Sequence, residues 1–200
     1  FIPCLQSGFY AAVVVVDLQS LEIVKKLDVR IDGDIFLLIA TGGDENYFAM
    51  VGNGDKTNRV SLVDTHTMLN LDPIPIPPSS PGSILAYQGR FYILNAYPNS
   101  PPTGREDLLI VDPGKSPAVR TETMAADGAL WGVIEGNKLY TYHNIENRGM
   151  RSDPVRAISR LDLATHQSKL WPLPDHWNAD DIAMVNGQII LAHSIFQNPG

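Results

Sequence analysis

The sequence predicts an all-β chain, a β-propeller of four-stranded antiparallel blades with about four blade-equivalents present. Three observations carry this reading. The 200 residues hold 15 prolines and 16 glycines, too many for a helical bundle and suited to a fold with many turns. The stretches "VVVVDLQSLEIVKKL", "VSLVDTHTMLNLDPIPI", "LLIVDPGKSPAVRTETM" and "ISRLDLATHQSKLWPL" align on Asp17, Asp64, Asp112 and Asp162, spaced by 47, 48 and 50 residues; a β-rich repeat of that length is a four-stranded blade. Between them a second pattern recurs, strand, glycine turn, strand, in "GSILAYQGRFYILNAY", "GALWGVIEGNKLYTYHN" and "DDIAMVNGQIILAHS".

With strands lettered A to D outward from the axis, each element has a local cause. The apolar run before each aspartate is strand C, buried on both faces between neighbouring blades and therefore continuously apolar rather than alternating. Aspartate ends it because a carboxylate accepts hydrogen bonds from backbone N–H groups just ahead and closes the turn to strand D, with Ser20, Thr67 and Thr165 as helpers three residues on. Strand D is the outer edge. There the lysines of "EIVKKL" discourage edge-to-edge pairing, and prolines do so in "LDPIPIPP" and "LWPLPD". Strands A and B form a hairpin whose turn needs positive φ, supplied by Gln88-Gly89, Gly136-Asn137 and Asn186-Gly187, and by Gly42-Gly43 one unit earlier. In one complete unit, A covers 84–87, B 91–95, C 108–111 and D 119–123.

These residues resemble the YVTN-type repeats of seven-bladed propeller proteins, related in shape to the WD-repeat proteins, over nearly the whole chain. The carriers are the V-x-V-[IV]-D strand and turn ("VVVVD", "VSLVD", "LLIVD", and more loosely "ISRLD") and degraded forms of the Tyr-Val-Thr-Asn tetrad in strand B. These are "FIPC", "FAMV", "YILN", "YTYH" and "ILAH". The usual Pro-Asp-Gly of the A to B turn is missing. The resemblance implies that ligands sit at the axial channel, on the face carrying the B to C and D to A loops, and that the protein is periplasmic, cell-surface or secreted.

The chain reads as one propeller domain or a section of one: a partial blade at 1–29, blades at about 30–77, 78–125 and 126–174, and a partial blade at 175–200. The strands number one more than four closed blades hold, with strand B present at both ends. The expectation is therefore a larger ring of about six to eight blades. The rival is a closed four-bladed ring with Phe1 to Leu5 as a stray arm. The N-terminus has no Met, basic n-region or cleavage site, so it reads as processed or cut.

Composition excludes several classes. The net charge is −7, from 22 acidic and 15 basic residues spread along the chain. No Lys/Arg run forms a phosphate-binding stripe, so nucleic acid is not the expected partner. No stretch approaches ~18 consecutive apolar residues, so no membrane span is expected. Cys4 stands alone and makes no internal disulfide. Gly-rich phosphate loops, a G-x-S-x-G elbow, HExxH, paired CxxC and CxxCH are all missing, as are N-x-[ST] acceptors.

Candidate sites follow from the loop face. His143 and His193 occupy one repeat position, the end of strand B, shared with Asn95, Val51 and Cys4, and His176 lies in the D to A loop between them. As a cluster they are the catalytic or metal-binding candidates, imidazole being a metal ligand and a proton shuttle. Equivalent points on adjacent blades lie roughly 10 Å apart, however, too far for one ion at ~2 Å bonds, which favours structural hydrogen bonding. Asp32, Asp34, Asp127, Asp180 and Asp181 fall in or beside D to A loops. Of these, Asp34, Asp180 and Asp181 are the candidate ligands for a divalent cation such as Ca²⁺, which wants several carboxylate oxygens; solvated turn carboxylates are the plain reading. No other cofactor is expected. Two long B to C loops, "AYPNSPPTGRED" and "NIENRGMRSDPVR", place Tyr97, Arg105, Arg148 and Arg151 at one edge with hot-spot character, and Trp177 flanks His176. His66 and His166 sit on the opposite face and read as solvated.

Two functions compete. One is an extracytoplasmic binding and scaffold propeller that engages a protein or polymer ligand through its loops, alone, as a homo-oligomer, or with the rest of the ring. The alternative is a propeller hydrolase or lyase, lactonase-like, with a His/Asp-lined axial site and a cation.

Overall fold

The computed structural model describes residues 2–5, 10–30, 39–52, 58–77, 81–95, 108–126, 128–144, 156–174 and 179–192. These form five antiparallel sheets in chain order. The first holds β1 (Ile2–Leu5), β2 (Tyr10–Val16) and β3 (Ile23–Arg30). The second holds β4 (Ile39–Gly43), β5 (Tyr47–Gly52) and β6 (Asn58–Asp64), with β7 (Leu69–Asn70) and β8 (Ile74–Ile76) both paired to β6. The third is β9 (Pro81–Tyr87), β10 (Arg90–Asn95), β11 (Leu108–Val111) and β12 (Val119–Glu122). The fourth is β13 (Ala129–Glu135), β14 (Lys138–Asn144), β15 (Arg156–Asp162) and β16 (Ser168–Pro172). The fifth is β17 (Asp181–Val185) and β18 (Gln188–Ala192).

Each sheet packs on the next through an apolar layer. Val13, Val15, Leu27 and Val29 of the first meet Phe48, Met50 and Val63 of the second. Ala49, Val51, Val60 and Leu62 then meet Phe91, Ile93, Leu109 and Val111. Tyr92, Leu94, Leu108 and Ile110 meet Leu139 and Leu161, and Tyr142 meets Ile182. Burying these side chains is worth about 1.5–3 kcal/mol each, which makes the layers the main cohesive force. The innermost strands β4, β9, β13 and β17 lie side by side in that order, the arrangement of blades about an axis. Glycine permits their close approach. A Cβ on Gly42 would lie 2.7 Å from the Ile84 carbonyl oxygen, and one on Gly82 would overlap the Leu130 carbonyl.

The hairpin turns behave as expected at Gln88 and Gly89 (φ 51° and 72°), Gly136 (φ 59°), and Asn186 and Gly187 (φ 51° and 73°). The second sheet departs. Gly42 and Gly43 belong to β4, and the turn is made by Asp44, Glu45 and Asn46, with Asp44 Oδ1 accepting from the N–H groups of Asn46 and Tyr47 at 2.8 Å each. The glycine pair is there for interblade approach, not for the turn. The longer turn also shifts the strand B alignment: Val51 pairs with Val60, four residues before Asp64, as Tyr142 pairs with Ile158, four before Asp162. Gly52, not Val51, therefore matches Asn95 and His143; Cys4, opposite Ala12, matches as expected.

The C to D turns follow one design. Asp17 Oδ1 accepts from the N–H groups of Gln19 and Ser20 at 2.9 and 2.8 Å, Asp64 Oδ1 from His66 and Thr67 at 2.9 and 2.7 Å, and Asp162 Oδ1 from Ala164 and Thr165 at 3.0 and 2.9 Å. The residue four after each aspartate, Leu21, Met68 and His166, is left-handed (φ 58°, 54° and 59°). The Asp112 turn differs: Oδ1 takes Gly114 N–H at 3.3 Å and Oδ2 takes Arg90 Nε at 3.0 Å. Strand C is buried throughout in β11 but alternates in β15, where Arg156, Ile158 and Arg160 are half-buried. That side faces the fifth sheet, in which the described strands are A and B alone.

Candidate functional site

Strands B end and strands A begin on one face. His143 lies at the end of β14, opposite Ala129 on β13 and Ala157 on β15. The register points its side chain at the third sheet, into the layer containing Leu139 and Leu161. It is fully buried, and its Nε2 lies 2.7 Å from Ser159 Oγ, also fully buried. Thr141, cross-strand partner of Ser159, is buried beside them. Such a pair is held by mutual hydrogen bonding in a low-dielectric layer and has no access to a substrate. The structure thus places His143 in a buried hydrogen bond within the fourth sheet, between β14 and β15.

Asn95, at the same repeat position on β10, is buried as well. The next residue along from His143 towards the turn, Tyr142, uses its hydroxyl to accept the Ala179 N–H at 3.1 Å, tying the fourth sheet to the entry of β17. Val51 and Leu94 hold this position in the second and third sheets, so the tie is particular to this blade.

Asp180 and Asp181 open β17 on the same face and are exposed. Asp181 stands opposite Ala192 and accepts from its neighbour's Ile182 N–H at 2.8 Å, while the Asp180 N–H donates to the Ala192 carbonyl at 2.8 Å. Their place brings them to the residue preceding His193 in the chain. No group of three or more His, Cys, Asp or Glu able to hold a metal occurs among the described residues. His176, His193, Tyr97, Arg105, Arg148, Arg151, Trp177, Asp32, Asp34 and Asp127 lie outside the described residues.

Sequence reasoning passed over Ser159 and the Tyr142 hydroxyl. The signal for the first was present: "ISRLD" puts a serine and an arginine where "VVVVD" and "LLIVD" have only Val, Leu and Ile, and a buried hydroxyl demands a partner. His166 is also more than solvated. Its Nδ1 lies 2.7 Å from Glu122 Oε1 of the preceding sheet.

Electrostatic shifts fall on the other face. The carboxyls of Asp17, Asp64 and Asp162 are held below the ordinary aspartate range, first by the backbone N–H groups of Ser20, Thr67 and Thr165 respectively. The Asp112 carboxylate raises the Arg90 guanidinium in the same sense, favouring the charged pair.

Among solved structures the chain resembles Kuenenia stuttgartiensis hydrazine synthase, with a TM-score of 0.63 and 16% identity over 89% of this chain and 47% of that one. It also resembles an ACO/RPE65 chimera, with a TM-score of 0.57 and 14% identity over 90% and 47%. Apo AztD from Citrobacter koseri matches with a TM-score of 0.50 and 13% identity over 94% and 52%. These neighbours are β-propellers. The fold is that of propeller blades. At such identities the likeness concerns the fold alone, and the chain spans about half the length of each neighbour. No family model and no curated protein matches the sequence. No helix among the described residues is long and apolar enough to cross a membrane.

Proposed function

We propose that this chain is a YVTN-type propeller that binds and scaffolds, outside the cytoplasm, as part of a ring of six to eight blades. It presents the connections 96–107 and 145–155 to a protein or polymer ligand. The observation that supports this most is the footing of the two connections. β10 and β14 belong to adjacent sheets joined by one apolar layer, and each carries a buried polar residue on the same face, Asn95 as the last residue of β10 and His143 as the last but one of β14. Recognition segments work best on such fixed supports. Arg105, Arg148 and Arg151 with Tyr97 suit an acidic ligand, which guanidinium groups grip in bidentate fashion, and Trp177 adds a stacking surface. Titrating acidic polysaccharides and acidic peptides tests the reading. The Arg148→Ala/Arg151→Ala pair is expected to weaken binding by roughly tenfold or more; an unchanged affinity contradicts the proposal.

The exposed carboxylates of Asp180 and Asp181 beside the end of β18 favour, as a second reading, a cation-dependent hydrolase or lyase of lactonase type. It requires thermal stabilisation by Ca²⁺, Mn²⁺ or Zn²⁺ that vanishes in Asp181→Ala, and a flat response to all three removes it.

A further inference from the structure

Two seams between blades share a contact position and fill it with different chemistry. On strand D, Leu27 stands opposite Val13, four residues before Asp17, and Glu122 stands opposite Leu108, four before Asp112. The following sheet brings up the left-handed residue four after its own aspartate, Met68 in the second sheet and His166 in the fourth (φ 54° and 59°). Between the first and second sheets the position is apolar, with Leu27 and Met68 in one layer. Between the third and fourth it is ionisable: His166 Nδ1 lies 2.7 Å from Glu122 Oε1.

The backbone holds both partners in place. Glu122 ends β12, and the His166 N–H donates to the Asp162 carbonyl at 2.8 Å. The Glu122 side chain is 16% exposed and that of His166 50%, so the carboxylate is shielded while the imidazole exchanges protons with solvent. The charged groups on the surrounding elements are few. β11 carries none, and on β12 Arg120 lies on the same side as Glu122, opposite Ile110. In the third sheet's own C to D turn Lys115 is exposed and Asp112 pairs with Arg90. On the fourth sheet Asp162 is committed to its turn by Ala164 and Thr165, Glu135 and Lys138 flank the A to B turn, and Lys169 stacks on Trp171. Arginine, lysine and exposed carboxylates keep their charges through the neutral range, so they bias the pair by a constant amount.

We propose that Glu122 and His166 form a pH-dependent clasp on the seam between the third and fourth sheets, tight in mildly acidic solution and slack above neutrality. A carboxylate and an imidazole are charged together only between the ordinary ranges of the two groups, about 4.3 and 6.5. In that window an ion pair is added to the hydrogen bond. As pH rises and the imidazole gives up its proton, the neutral ring still donates from Nδ1, but the charge-assisted part is lost. The added stability therefore belongs to the acidic side and disappears with increasing pH. Leu27 and Met68 hold no such group, and their seam keeps its strength over the same range. The clasp goes beyond the proposed binding role and does not need it; the seam it governs is the one that joins β10 to β14.

A double-mutant cycle by urea unfolding, run at about pH 5.5 and about pH 8 on either side of the ordinary histidine range, tests the clasp, because the cycle cancels the titration of the other histidines. Glu122→Gln keeps the shape of the side chain, and His166→Asn suits the left-handed backbone. At the acidic pH the two side chains are expected to be coupled by about threefold in the unfolding equilibrium constant, and at the alkaline pH by about 1.5-fold or less. As a second variant, Glu122→Leu with His166→Met borrows the residues of the first seam; its unfolding midpoint is expected to change less between the two pH values than that of the parent chain. Coupling of equal size at both pH values would make the contact a plain hydrogen bond and overturn the clasp. Coupling at neither pH, or a borrowed seam as pH-dependent as the parent, overturns it as well.

Discussion

On the face that carries the C to D turns, three of four turns use the same aspartate, the same two N–H donors and the same left-handed residue. On the opposite face one repeat position holds Cys4, Gly52, Asn95 and His143. The first face repeats because local backbone chemistry allows few ways to close a strand on its neighbour in four residues. The second varies because each end of strand B meets a different environment, and its side chains are chosen by what the adjoining sheet offers. One face is punctuation, and the other is where the blades of this chain differ from one another.

Substitution can break the comparison on the variable face first. His143→Ala is expected to cost about 3 kcal/mol in urea unfolding, because it opens a cavity and strips Ser159 of its partner. His143→Asn, borrowing the residue of the third sheet, costs less. Equal losses would mean that the position needs an imidazole for some reason other than packing and hydrogen bonding. Ser159→Ala follows at about 1–3 kcal/mol, since it removes the hydroxyl partner of a buried imidazole. Tyr142→Phe leaves the Ala179 N–H without its acceptor and costs about 1 kcal/mol, with faster amide exchange at Ala179 as its local mark.

The repeated face gives smaller effects distributed over several sites. Folded-state pKa values of Asp17, Asp64 and Asp162 lie below their unfolded values. Their contribution is therefore complete above the unfolded value and is lost as pH falls through the folded one, below about pH 4. The melting temperature of the parent chain should fall across that window. A variant with all three aspartates replaced by alanine starts lower and shows a shallower decline, and identical slopes would mean the turns do not feel the carboxylates.

Much of the fold was legible because its causes are local. Apolar runs ending in aspartate, glycine turns and edge prolines announce themselves within a few residues, and strand C of the third sheet, Leu108–Val111, has the bounds its sequence implies. Where causes are distant, the reading slipped. Gly42-Gly43 looks like a turn, and its role emerges only from Ile84 of the next sheet. For His143 the sequence favours structural hydrogen bonding without naming the partner, because Ser159 lies one strand away.

Everything depends on the innermost strands standing side by side as successive blades. Nuclear Overhauser spectroscopy tests this most directly, through the glycine α-protons. Cross-peaks from Gly42 to Ile84 and from Gly82 to Leu130 are expected, since a methyl at either glycine would collide with those partners. Their absence, together with contacts joining strands of non-consecutive sheets, would describe two stacked sheets and contradict the propeller.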